Sequence, residues 1–223
     1  MNDNSFLRGD EPAQPRLLLH AQGLTIASPA GSPLFNRLNF DIRSGLTFVH
    51  GGEGRGKTAL LRLLSGVLQA DAGTLEWETP AGASGHAAAA QVFRADFDAD
   101  FDGSTSVRDW LQQQSAHHSR WDSLLLDELL EGFGLAEHLD KQLHMLSTGS
   151  RRKVVLAAAF ASGADLTLLE KPFAALDARS RGLLAELLQE AAGHPGRAWV
   201  LADYELPAAL EGTALAAVID LGD

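Results

Sequence analysis

Gly51-Gly52-Glu53-Gly54-Arg55-Gly56-Lys57-Thr58 lies between the apolar run LTFVH, Leu46 to His50, and ALLRLLSGVLQA, which begins at Ala59. The octet fits G-x-x-x-x-G-K-[ST]. Its surroundings supply the context that pattern requires, because the apolar run predicts a strand and leucines three and four apart predict a helix. The residue types follow from phosphate chemistry. Glycines let backbone N–H groups turn inward toward phosphate oxygens, and the helix that starts here points its positive dipole end at them. In that arrangement Gly51, Gly52, Gly54 and Gly56 form the cradle, Lys57 reaches the terminal phosphates, and the Thr58 hydroxyl ligates Mg2+. A chance match of the full pattern is expected on the order of once in a hundred chains of this length, so a mere Gly-rich turn is the weaker reading.

Outward from the loop, Arg16 to Ile26 (RLLLHAQGLTI) and Leu38 to Ile42 (LNFDI) predict strands of an antiparallel lobe. Between Ser106 and Leu146 the pattern changes to helix formers with leucines three and four apart, which predicts a helical insertion over roughly 104–148. Helix continues over Arg151 to Ser162, Leu166 to Leu169 (LTLL) is a buried strand, Ala178 to Ala192 is helix, and Arg197 to Ala202 is strand. Such alternation implies parallel crossovers, hence an α/β P-loop core carrying an antiparallel β lobe and the helical insertion.

The 223 residues, 45% of them hydrophobic, suit one compact domain, here expected over 16–223 behind a disordered tail at 1–15. With no cysteine, disulfides, thiol catalysis and cysteine-ligated zinc are excluded. No apolar run approaches the roughly 20 residues that cross a bilayer, and the opening MNDNSFLRGDEPAQPR lacks the basic and apolar regions of a signal peptide, so a cytoplasmic protein is expected. A net charge of -11 argues against a nucleic-acid partner.

Kinases and GTPases share the phosphate loop, but later motifs discriminate. Leu146-Ser147-Thr148-Gly149-Ser150, followed by Arg151-Arg152-Lys153, resembles the signature of the ATP-binding cassette family, with Ser147 and Gly149 matching it and Thr148 and Ser150 departing. LTLLEKPFAALD resembles that family's apolar strand, acidic pair and turn, in a register fixed by Pro172 and Ala175-Leu176-Asp177. The resemblance extends from about Leu17 to the end. It implies an ATPase that binds ATP with Mg2+ and pairs as a homodimer or as a heterodimer with another cassette chain. It further implies that Ser147 and Gly149 close over nucleotide held by the partner. An integral membrane permease and a place at the inner face of the cell membrane follow from the same resemblance. The single-cassette layout is similar to bacterial exporters, those of cytochrome maturation among them. As a local feature, Ser147 also suits a helix N-cap.

Departures from the family fall at the reacting end. Its metal-associated aspartate aligns with Glu170, which keeps the charge for Mg2+, and its general-base glutamate aligns with Lys171. A protonated lysine cannot accept a proton, and such assistance is worth about 10²- to 10⁴-fold in rate. The switch histidine aligns near Tyr204, a hydrogen-bond donor without the positive charge. The catalytic positions are thus Glu170, Lys171 and Tyr204, and slow or partner-dependent hydrolysis is expected. A cassette that binds ATP and gates an interaction without useful turnover is the alternative. The family's glutamine aligns with Gln91 or has its place taken by Arg94, and no adenine-stacking aromatic occurs near Ser28.

Two other constellations compete. Asp98-x-Asp100-x-Asp102-Gly103 with Asp109 mimics a calcium loop, but the strand-like AAAAQVFR before it does not supply the helix that motif needs, which favours a solvated acidic loop. His117-His118 is expected on a helix surface, since adjacent helical side chains diverge.

Overall fold

The computed structural model describes residues 15–28, 31, 33–78, 90–97 and 104–222. Of the expected tail only residue 15 is among them, and Asp98, Asp100, Asp102 and Gly103 lie outside them. Two sheets organise the chain. Strands β1 (Leu17–Ala27), β2 (Pro33–Arg43) and β4 (Ala72–Trp77) form an antiparallel sheet in the order β2-β1-β4. Strands β3 (Gly45–His50), β5 (Val92–Ala95), β6 (Leu166–Glu170), β7 (Ala198–Asp203) and β8 (Ala217–Asp220) form a parallel sheet in the order β5-β6-β7-β3-β8. The expected α/β architecture is present.

The central strands β3, β6 and β7 are buried almost along their length, as strands covered on both faces are. Their alternation feeds two cores. Phe48, Leu169, Trp199 and Leu201 face α2 (Val107–His117), α3 (Ser123–Gly132), α4 (Thr148–Ala161) and α5 (Ala178–Ala192). Val49, Leu168 and Val200 face α1 (Lys57–Leu64) and the antiparallel sheet. Helices α2, α3, α4 and α5 start at Ser106, Asp122, Ser147 and Asp177, whose side chains accept a backbone N–H from the first turn. Asp109 is engaged in one of these caps, where its carboxylate accepts from Ser106 Oγ at 2.7 Å.

Several details differ from the sequence expectation. Strand β2 starts at Pro33 rather than Leu38, because its polar residues Asn36, Arg37 and Asn39 hide the alternation of an edge strand. Strand β8, four residues long, was too short to carry a periodic signal. His118 is only partly at the surface. It is half-buried against Phe93 and Trp121, at ring-centroid distances of 5.3 and 6.3 Å, and its Nδ1 lies 2.9 Å from the carbonyl of Gln114. His117 is exposed as expected.

Candidate functional site

Because the five strands run parallel, their C-terminal ends share one edge of the sheet, where open α/β sheets place their ligands. His50 ends β3, Glu170 ends β6 and Asp203 ends β7. The loop 51–56 leaves β3 there and enters α1 through Gly56, whose φ of 93° is left-handed. A Cβ at Gly56 would stand 3.1 Å from Leu34 Cβ and 3.3 Å from Phe35 Cδ1, so glycine is required on both counts. Gly52 donates its N–H to the carbonyl of Gly222 at 2.9 Å, which ties the loop to the end of the chain.

The loop, β1, α1 and the ends of β6 and β7 enclose a cleft of about 630 Å³. Its walls include Arg55, Lys57, Arg62 and Lys171 against the carboxylates of Glu53, Asp71 and Glu170, a cationic balance in a chain of net charge -11. An anion is the ligand such walls favour. Lys57 is only 5% exposed. Its ammonium donates to the carbonyls of Gly51 and Gly52, the latter at 2.7 Å, which satisfies the charge that burial would otherwise penalise.

Thr58 Oγ1 donates to Glu170 Oε1 at 2.6 Å. A hydroxyl and a carboxylate thus meet beside the buried ammonium. These are hard oxygen donors of the type Mg2+ takes, together with substrate phosphates and water, so the residues fit that ion. Among the described residues no cluster of three His, Cys, Asp or Glu offers a cage of its own.

Lys171 and Tyr204 stand at the same end. The Lys171 ammonium donates to Tyr204 Oη at 2.9 Å. The Tyr204 hydrogen bond holds its pKa above the ordinary lysine range against the opposing effect of burial, and the charges of Glu170 and Asp203 add to the rise. Lys171 is therefore a cation at neutral pH and not a base. Lys57 Nζ and Lys171 Nζ lie 4.2 and 4.3 Å from the Tyr204 ring centroid, within cation–π range of one ring.

Ser147 and Gly149 sit elsewhere, at the start of α4. Neither is among the described residues that line the cleft. Ser147 Oγ accepts the N–H of Ser150 at 3.1 Å, and a Cβ on Gly149 would meet the carbonyl oxygen of Ala175 at 2.6 Å. The Ala175-Leu176-Asp177 turn is pinned to α4 by Lys153, whose ammonium lies 2.6 Å from Asp177 Oδ2. That bond and the N–H of Ser180 hold the Asp177 carboxyl well below the usual range.

The family profile described as ABC transporter matches residues 35–174. The chain belongs to the ABC transporter family, as one of its ATP-binding subunits. As such it is an ABC-type ATPase. Its relatives include several proteins named cytochrome c biogenesis ATP-binding export protein CcmA. That of Alkalilimnicola ehrlichii is 40% identical over 77% of this chain and 76% of the relative. That of Pseudomonas savastanoi is 35% identical over 82% of this chain and 84% of the relative. A solved ATP-binding subunit of an ABC transporter superposes with a TM-score of 0.73 at 18% identity, covering 88% of this chain and 83% of that one, a likeness of fold.

Gln91, one of the two positions expected for the family's glutamine, does not line the cleft. It precedes β5 and exchanges hydrogen bonds with Asp165, which precedes β6, so it lies at the sheet edge opposite the cleft. Arg94 lies within β5 and binds Asp96 Oδ2 at 2.5 Å, and neither Gln91 nor Arg94 lines the cleft. No distal aromatic replaces the missing adenine stack among the described lining residues. Ile26, Leu34 and Leu68 supply apolar wall there, while Tyr204 is at the phosphate end.

One residue escaped the sequence reading. Arg152, 8% exposed on α4, donates from Nη2 to the Lys171 carbonyl at 2.6 Å and stacks on Phe97 at 4.2 Å. Its signal was a basic residue heading the apolar run KVVLAAAF.

Proposed function

We propose that this subunit binds ATP with Mg2+ at an interface with a second cassette, a copy of itself or a related chain, and drives an integral membrane permease of an exporter. Its own site turns ATP over slowly. The export named for the CcmA relatives supports the direction of transport. Work with a permease sets the subunit at the inner face of the cell membrane. Among the described residues no helix is long and apolar enough to cross it. Ser147 and Gly149 stand off this chain's own cleft, so they are available to close a partner's.

In this reading the loop and Lys57 hold phosphates, while Thr58 and Glu170 hold Mg2+. The ion, when bound, neutralises phosphate charge and orients the leaving group. The single observation that carries slow turnover is Lys171. Its ammonium, fixed 2.9 Å from Tyr204 Oη, cannot take a proton from water as the glutamate it aligns with would.

The test is steady-state Mg-ATPase activity beside ATP binding for the full chain, Lys171→Glu and Lys57→Ala. The expected result is binding with slow turnover in the unaltered chain, a rate raised about 10²-fold in Lys171→Glu, and no binding in Lys57→Ala. A fast unaltered chain slowed by Lys171→Glu overturns the slow-turnover reading. Turnover that is undetectable until Lys171→Glu favours the second reading, an ATP-gated interaction protein, which the same residue supports.

A further inference from the structure

Lys171 is held with more constraint than a surface lysine needs. Its backbone adopts φ 46°, the left-handed region that side-chain-bearing residues seldom occupy. The strained peptide is gripped at both ends: its N–H donates to the Ala202 carbonyl on β7 at 2.9 Å, and its C=O accepts from Arg152 on α4 at 2.6 Å. Backbone strain of this type persists where the surroundings over-determine it, and it collects at ligand clamps. The side chain that results lines the same cleft as Lys57, and both ammonium groups lie within 4.3 Å of the Tyr204 ring centroid. Tyr204 Oη accepts the Lys171 proton, which leaves its own O–H directed away from the ammonium and available to a further acceptor.

Resting on the nucleotide reading above, we propose that Lys171, held by Tyr204, is an ATP-over-ADP specificity determinant: its ammonium binds the γ-phosphate in the ground state. ADP ends one phosphate short, so it engages Lys57 and the loop but leaves Lys171 on Tyr204. A cation that binds the substrate phosphate before any bond changes raises affinity without raising turnover. The two properties of the site then share one cause. Substituting a lysine for a carboxylate removes a base and adds a phosphate ligand, converting a site for splitting ATP into one for retaining it.

The experiment is equilibrium binding of ATP and of ADP, each with Mg2+, to the full chain and to Lys171→Met, Lys171→Arg, Tyr204→Phe and Lys57→Ala. A charge-assisted hydrogen bond to phosphate predicts that Lys171→Met loses about tenfold in ATP affinity while ADP stays within about twofold. Lys171→Arg restores most of the ATP preference, and Tyr204→Phe loses part of it. The ratio of the two affinities is unaffected by any unfolded fraction, which lowers both bindings alike. An unchanged ratio in Lys171→Met overturns the proposal. If Lys57→Ala abolishes both nucleotides while Lys171→Met alters neither, the nucleotide site stands and the clamp falls. If the unaltered chain binds neither nucleotide, the underlying reading fails as well.

Discussion

Arg152 on α4 donates a hydrogen bond to the carbonyl of Lys171 at 2.6 Å, so the helix that carries Gly149 also holds the backbone of the residue after β6. Substitution Arg152→Met keeps the contact with Phe97 and removes the charged donor, leaving the Lys171 carbonyl with only the N–H of Ala174 at 3.2 Å. The expected loss is about 1–3 kcal/mol of unfolding free energy, read by denaturant titration. Relaxation of Lys171 from its left-handed φ should also weaken ATP binding more than ADP binding. A variant as stable as the parent would show that the bond contributes nothing net.

Asp177 caps α5 through the N–H of Ser180 at 2.9 Å and meets Lys153 at 2.6 Å. Asp177→Ala should cost about 1 kcal/mol, chiefly the cap, because the Asp177 side of the ion pair is exposed to solvent and screened. The carboxyl is depressed below its unfolded value by Lys153 first and the cap second. Its stabilisation is therefore complete above the ordinary aspartate range and is lost as pH falls through and below that range. Thermal midpoints of parent and variant should converge under strong acid. A gap that stays constant with pH contradicts the assignment.

His194 predicts a sensitivity of the same sign, closer to neutrality. Burial, then the charge of Arg197, lowers its pKa from 6.5, and its Nδ1 accepts N–H groups from Gly196 at 3.1 Å and Arg197 at 3.0 Å. Only an unprotonated Nδ1 can accept both. Between the unfolded and the lowered folded values the unfolded chain binds more protons, so stability rises with pH and is lost as pH falls below 6.5. His194→Asn, which keeps an acceptor without a titrating ring, should flatten that slope in thermal melts. An unaltered slope would place the acid sensitivity elsewhere.

Much of this was legible in the residues. The loop 51–58, the strand before it and the helix after it are local, and their periodicity and glycine spacing suffice to place them. The positions of Glu170 and Lys171 followed from Pro172 and the Ala175-Leu176-Asp177 turn, and the structure brings both to the cleft. Gln91 remained ambiguous because a strand of four residues does not reveal which of its ends a neighbour occupies. His118 was misjudged because its aromatic neighbours, Phe93 especially, come from a different element.

By itself, then, the sequence determined the phosphate loop, the order of strands and helices, the family and the presence of a lysine directly after Glu170. These depend on residues close along the chain, where spacing and side-chain type set the outcome. Only the tertiary structure decided which distant side chains meet. Thr58 reaches Glu170 across 112 positions and Lys171 reaches Tyr204 across 33, contacts fixed by the parallel register that aligns the ends of β3, β6 and β7. A hydrogen bond requires atoms within about 3 Å, and that precision arises only once the sheet has packed between its two cores.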